Sequence, residues 1–177
     1  GEATPRTGNA LADTFADVVW RHHLPVERIA ALLDARADEG YAGDFGDEAI
    51  FQKHLTATTG TGIALAVRIL GAEETPDVTT FLGNATEAVG TVAILRGLPK
   101  FVARGRWPLP VESVTSKGAR LSQDDFLRDT AAERQASIDC TIARARAALR
   151  RAHSCSPNVS RDVQQAVLEL ALVEPYL

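Results

Sequence analysis

The sequence predicts an all-α protein, a single domain over residues 1–177 built as a helical bundle of about six helices. Apolar residues recur at three- and four-residue spacing in segment after segment, the repeat that gathers side chains on one helix face. Ala and Leu are plentiful, while residues typical of strands form no alternating run. Pro, Gly and Ser/Thr/Asp signals punctuate the periodic segments where helices should start and stop. At 177 residues the chain has the length of one domain and can bury a real core.

The balance of residues excludes several classes. Hydrophobic content of 45%, charged content of 24% and a net charge of −4 are ordinary for a water-soluble globular chain and give no reason to expect a nucleic-acid partner. No apolar run approaches the roughly 20 residues that a membrane span needs, and no basic-then-apolar signal opens the chain. Cys140 and Cys155 have no metal-ligand pair near them and read as reduced thiols. The expected compartment is therefore cytosol-like. The Asn84/Thr86 and Asn158/Ser160 triplets read as chance matches to the glycosylation pattern.

In chain order, residues 1–8 are polar and read as a loop. Leu11, Phe15, Val18 and Val19 then give a short helix ending near His22 and His23, which point to different faces and make no chelating pair. Pro25 suits the first turn of a second helix, with Ile29, Leu32 and Leu33 inward and a stop at Gly40. Asp47 is placed to cap a long helix reaching about Leu70, with Phe51, Leu55, Thr58, Gly62, Leu65 and Ile69 as its inward stripe. Its Thr/Gly run over 56–62 is poor helix material, better suited to letting a neighbour approach closely. A turn over 71–77 leads to a helix at 78–103, with Leu82, Ala85, Val89, Val92 and Leu95 on one face. Residues 111–128 connect. Thr130 and Glu133 read as a capping box opening a helix to about Ala152, with Ile138, Ile142, Ala145 and Leu149 inward. Arg144, Arg146, Arg150 and Arg151 sit where the helix dipole favours cations. After a break at Pro157, Ser160 caps a last helix through Val163, Val167 and Leu170 to Pro175.

The most informative stretch is 82–110. Between Ala88 and Val111 it has no acidic residue but carries Arg96, Lys100, Arg104 and Arg106, a local reversal of sign. It closes on Gly105 and the Pro108/Pro110 pair, which cannot continue a helix. Ile94-Leu95-Arg96 and Val102-Ala103-Arg104-Gly105-Arg106-Trp107-Pro108-Leu109-Pro110 resemble the lead-in and exit of the second signature of the squalene/phytoene synthase family. Leu33-Asp34-Ala35-Arg36-Ala37-Asp38-Glu39-Gly40-Tyr41 is similar to that family's substrate-facing segment, and His54 stands where the family has a tyrosine on the wall of its prenyl tunnel.

The resemblance implies a terpenoid-synthase type of bundle. The family's N-terminal helices, with their first Asp-rich motif, are expected upstream of Gly1, and its last helices beyond Leu177. Active members are expected to hold Mg²⁺ with carboxylates against a prenyl diphosphate, and Gly97, Lys100 and Phe101 stand where those carboxylates would be. Pro99 should kink the helix there, and Phe101 is expected to be buried against the 51–65 helix. The chain most resembles the catalytically degenerate branch that includes a mitochondrial complex I assembly factor. That implies no cofactor, a membrane-associated complex or anionic membrane face as partner, a prenyl or lipid molecule as ligand, and a location in the cytoplasm or a mitochondrial matrix, with peripheral membrane attachment allowed. The alternative is an active transferase joining two prenyl diphosphates head to head, with Mg²⁺. Substrate-binding candidates under either reading are Asp34, Arg36, Glu39, His54, Arg96, Arg104 and Arg106, with no catalytic or metal-ligating residue assigned.

Overall fold

The computed structural model describes residues 6–41, 48–73, 75–110 and 131–177, the side chains of 38–41 excepted. The elements are α1 (Ala10–Arg21), α2 (Val26–Tyr41), α3 (Glu48–Leu55), a π-helical turn (Thr56–Gly60), α4 (Thr61–Ile69), α5 (Pro76–Val102), α6 (Ala131–Cys155) and α7 (Arg161–Ala166). Because α3, the π turn and α4 run on as one rod, the described residues hold six rods and no strand. The all-α expectation stands. Asp47, Thr130 and the 111–128 connection lie outside the described residues.

Local chemistry explains the helix ends. Asn9 caps α1 by accepting from the Leu11 and Ala12 N–H groups at 3.0 and 3.2 Å. Just before it, the Asp13 carboxylate accepts from the Thr7 N–H and hydroxyl, and those bonds hold its pKa below the usual carboxylate value. Thr75 caps α5, with Pro76 in the first turn, a pairing that the sequence reading had placed inside a turn. Three rods end in the same way. At each, one N–H reaches back five residues (Leu24 to Val19, Ala72 to Val67, Arg106 to Phe101), and the residue before it has positive φ. Gly71 and Gly105 supply that φ at two of them, and His23, at 48°, supplies it at the third.

The core forms around α5. From Ala85 to Val92 nearly every residue of this helix is buried, because α3, the π turn, α4, α6 and the C-terminal turns surround it. By length and composition α5 could cross a membrane, contrary to expectation, yet 56% of its apolar window is buried inside the bundle, as in a core helix. The larger core cluster joins Phe81, Ala85, Ala88 and Val92 to Ala148, Ala152, Val163, Val167, Leu170 and Val173. The smaller one joins Phe51, Leu55, Ile94, Trp107 and Leu109.

Several inward faces differ from the periodic reading. On the α3–α4 rod the stripe holds at Phe51, Leu55 and Thr58, then moves to Ile63 and Val67, leaving Gly62 and Ile69 exposed. The π turn is the cause: it adds one residue to a turn, so each position after it rotates by about 100°. On α6 the buried residues are Ser137, Thr141, Ala145, Ala148, Leu149 and Ala152, with Ile138 and Ile142 half-buried at the sides. Short side chains occupy the centre there because α5 and α6 pack through alanines on both helices. Leu33 is exposed, since α2 rests on the π turn and α4 along one narrow edge. The last helix stops at Ala166 and continues as 3₁₀ turns, in which Val167, Leu170 and Val173 are buried at that helix's three-residue period.

Candidate functional site

The region of interest is the far end of α5 and the strap that follows it. Pro99 does not break α5, which runs on to Val102; with only the last turn beyond it, little of the helix lies past the missing N–H. After Gly105 the chain turns back into the core, and Trp107, Pro108, Leu109 and Pro110 are all buried. The Trp107 indole N–H donates to Ser137 Oγ at 3.4 Å, and the Ser137 hydroxyl donates to the Pro110 carbonyl at 2.8 Å. The two prolines thus form a strap pinned to α6 rather than a simple turn.

Gly97 and Phe101 lie one helical turn apart on α5. The Phe101 ring covers Gly97 so closely that a Cβ there would come within 3.2 Å of it. Phe101 is only half-buried, which corrects the expectation that it plugs the bundle against the 51–65 helix. Its ring is partly spent on its own helix, and the apolar filling comes instead from Phe51, Leu55, Ile94, Trp107 and Leu109, with Leu95 and Leu98 packed against them. Lys100 is exposed. Glycine, lysine and phenylalanine offer no oxygen ligand for a hard cation. Among the described residues no group of three or more His, Cys, Asp or Glu side chains is placed to hold a metal.

Further along the rod, α5 and the π turn meet without space between them. A Cβ on Gly90 would approach Leu55 Cδ2 to 2.9 Å and Thr59 Oγ1 to 3.0 Å, and one on Gly60 would lie 3.2 Å from Thr86 Cγ2. Small residues here serve close helix approach, as the packing reading of 56–62 expected.

The candidate residues fall on separate elements. Asp34 and Arg36 are exposed on α2, and the Glu39 side chain lies outside the described set. His54 is buried at the end of α3, its carbonyl accepting from the Thr58 hydroxyl at 2.8 Å. Arg96 stacks its guanidinium over the Tyr176 ring, 4.6 Å from the centroid. Arg104 is exposed in the turn after α5, and Arg106 is half-buried.

A charged network escaped the sequence reading. Arg144 of α6 forms a two-pronged pair with Glu48 of α3 and reaches Glu87 of α5 at 3.4 Å. Arg151 donates to Glu87 at 2.8 Å and to Asn84 at 2.8 Å. These arginines therefore bind carboxylates on neighbouring helices, where the dipole at the end of their own helix had been expected to account for them. Their seven-residue spacing, matched by the three-residue spacing of Asn84 and Glu87, was a legible sign of two facing helix surfaces.

An all-α bundle of terpenoid-synthase type, carrying an Arg-Gly-Arg turn and a proline strap after its central helix, defines the class of protein. The family model described as squalene/phytoene synthase matches residues 2–177, and the chain belongs to that family. Searches of curated proteins and of solved structures found no match.

Proposed function

We propose that this chain is a non-catalytic member of the squalene/phytoene synthase family, acting as a binding or respiratory-complex assembly-type protein. The observation that carries the reading is Phe101 folded over Gly97, with Lys100 beside them, where the family resemblance places carboxylates. Mg²⁺ does not fit these residues, because a hydrocarbon ring and an ammonium repel or ignore a hard cation. The close contact of Gly90 with Leu55 and Thr59 supports the same reading, since it removes room between the helices that would flank a prenyl chain. The cationic end of α5 is the proposed contact for an anionic membrane face or an acidic, membrane-associated partner. There Lys100 and Arg104 are exposed and Arg96 is held in place by Tyr176.

Calorimetric titration with farnesyl diphosphate, with and without Mg²⁺, tests the proposal. The expected result is no metal-dependent binding. Micromolar binding that requires Mg²⁺ would favour an active transferase condensing two prenyl diphosphates and would sink the non-catalytic reading.

A further inference from the structure

The seam between α5 and α6 carries more positive charge than it uses. Arg144 and Arg151 meet Glu48 and Glu87, so those four charges cancel. Arg150 is the surplus. It is turned by about 100° from Arg151 around α6, and the α5 residues beside it are Thr80 and Asn84, which carry no charge. Among the described residues its exposed guanidinium makes no ion pair or hydrogen bond. Thr80, Asn84, Arg150 and Arg151 line a groove of about 430 Å³ that is open to solvent along one side, with Ala147 and Cys155 adding to its walls. Sites for small molecules run from roughly 300 to 1,000 Å³. The walls are more apolar than polar, and no acidic residue lines them. Two of the polar groups are already fixed. Arg151 donates to Asn84 Oδ1 and to Glu87 at 2.8 Å each, and Asn84 Nδ2 donates to the Thr80 carbonyl at 3.0 Å.

We propose that this groove binds a small amphiphilic anion, a carboxylate or phosphate group carried on a short apolar body. The head group takes the free guanidinium of Arg150, whose planar fork of N–H donors matches two oxygens of either anion. Arg151 adds a second cation that Asn84 and Glu87 already hold in place, so binding costs little further ordering there. The apolar body lies along Ala147 and Cys155 and removes those walls from water. A bare phosphate would use only the charge, and a neutral molecule only the walls. Twenty residues of α5 separate Thr80 from Lys100, about 30 Å of helix, so the groove is distinct from the cationic end of α5. The inference stands whether or not the chain has catalytic activity and whether or not that end meets a membrane.

Cys155 in the groove wall reports occupancy. In a Cys140→Ser background, its alkylation by neutral iodoacetamide is followed with octanoate, octyl phosphate, octanol or inorganic phosphate present. Octanoate, octyl phosphate or both should protect the thiol, at concentrations at least tenfold below those at which octanol or inorganic phosphate does. Protection by one of the two anions alone supports the proposal and names the head group. Arg150→Gln should raise the protecting concentration at least tenfold, whereas Arg28→Gln, which removes an exposed cation from α2, should leave it unchanged. No protection by either anion, octanol protecting as well as they do, or equal protection in Arg150→Gln overturns the proposal. Nitrogen-15 NMR on the unaltered chain gives an independent reading should Cys155 react too slowly to follow. Amides of 80–84 and 147–155 should shift with an amphiphilic anion and not with octanol, and no shift, or shifts spread evenly over the chain, overturns it.

Discussion

His23 holds φ at 48° to close α1, a conformation that costs a residue with a Cβ about 1–2 kcal/mol. His23→Gly should therefore raise stability by about 0.5–1 kcal/mol after the extra chain entropy of glycine is subtracted, read as a higher urea midpoint. His23→Val should lower it. Two glycines of α5 separate space from propensity in the same way. Gly83 has nothing within 4 Å of its Cβ position, so Gly83→Ala should stabilise by about 0.5–1 kcal/mol through helix propensity alone. Gly90 meets Leu55 at 2.9 Å, so Gly90→Ala should overpack the interface and cost about 1–3 kcal/mol. Thermal melts of the pair should move in opposite directions. No spacing argument distinguishes these glycines, because each is one helical residue among apolar neighbours until the facing helix is placed.

At the scale of the element, α3, α5 and α6 are tied by the Glu48–Arg144–Glu87–Arg151 network. The Glu87 and Arg144 side chains are 20% and 28% exposed, so the pair is screened less than a surface bridge and desolvated less than a core one. Glu87→Gln should cost about 1–2 kcal/mol, since it leaves two arginines sharing an amide. Double-mutant cycles with Arg151→Met and with Arg144→Met check it: coupling near zero in both would mean that Glu87 acts only by packing. The sequence reading found the helices that carry this network and missed the pairing, because ion pairs between helices depend on which faces meet. The same limit explains α4, where one added residue in the π turn re-phased a correctly placed helix.

At the scale of the whole molecule, the chain has net charge −4, while the end of α5 concentrates Arg96, Lys100, Arg104 and Arg106. Each cation near an anionic leaflet is worth about 1 kcal/mol, so the patch should give attachment that fades with salt. Co-sedimentation with phosphatidylserine vesicles should show binding at low salt and its loss at high salt. Lys100→Glu with Arg104→Glu should abolish it without changing the melting temperature, since both side chains are exposed. Binding that ignores ionic strength would count against a charged docking face and direct attention to the apolar residues Leu11, Phe15 and Trp20, all exposed on α1.

The sequence by itself determined the helical class, the main rods and the family, because helical periodicity, capping residues and the Arg-Gly-Arg and Leu-Pro steps are local in the chain. It also determined that Gly97, Lys100 and Phe101 lack carboxylates, a matter of composition alone. The tertiary structure decided which faces are buried, that Trp107 and Leu109 fill the core instead of Phe101, and that Arg144 and Arg151 serve Glu48 and Glu87. Those outcomes turn on the angular phase and close approach of helices far apart in sequence, and a single residue inserted at 56–60 is enough to change the phase.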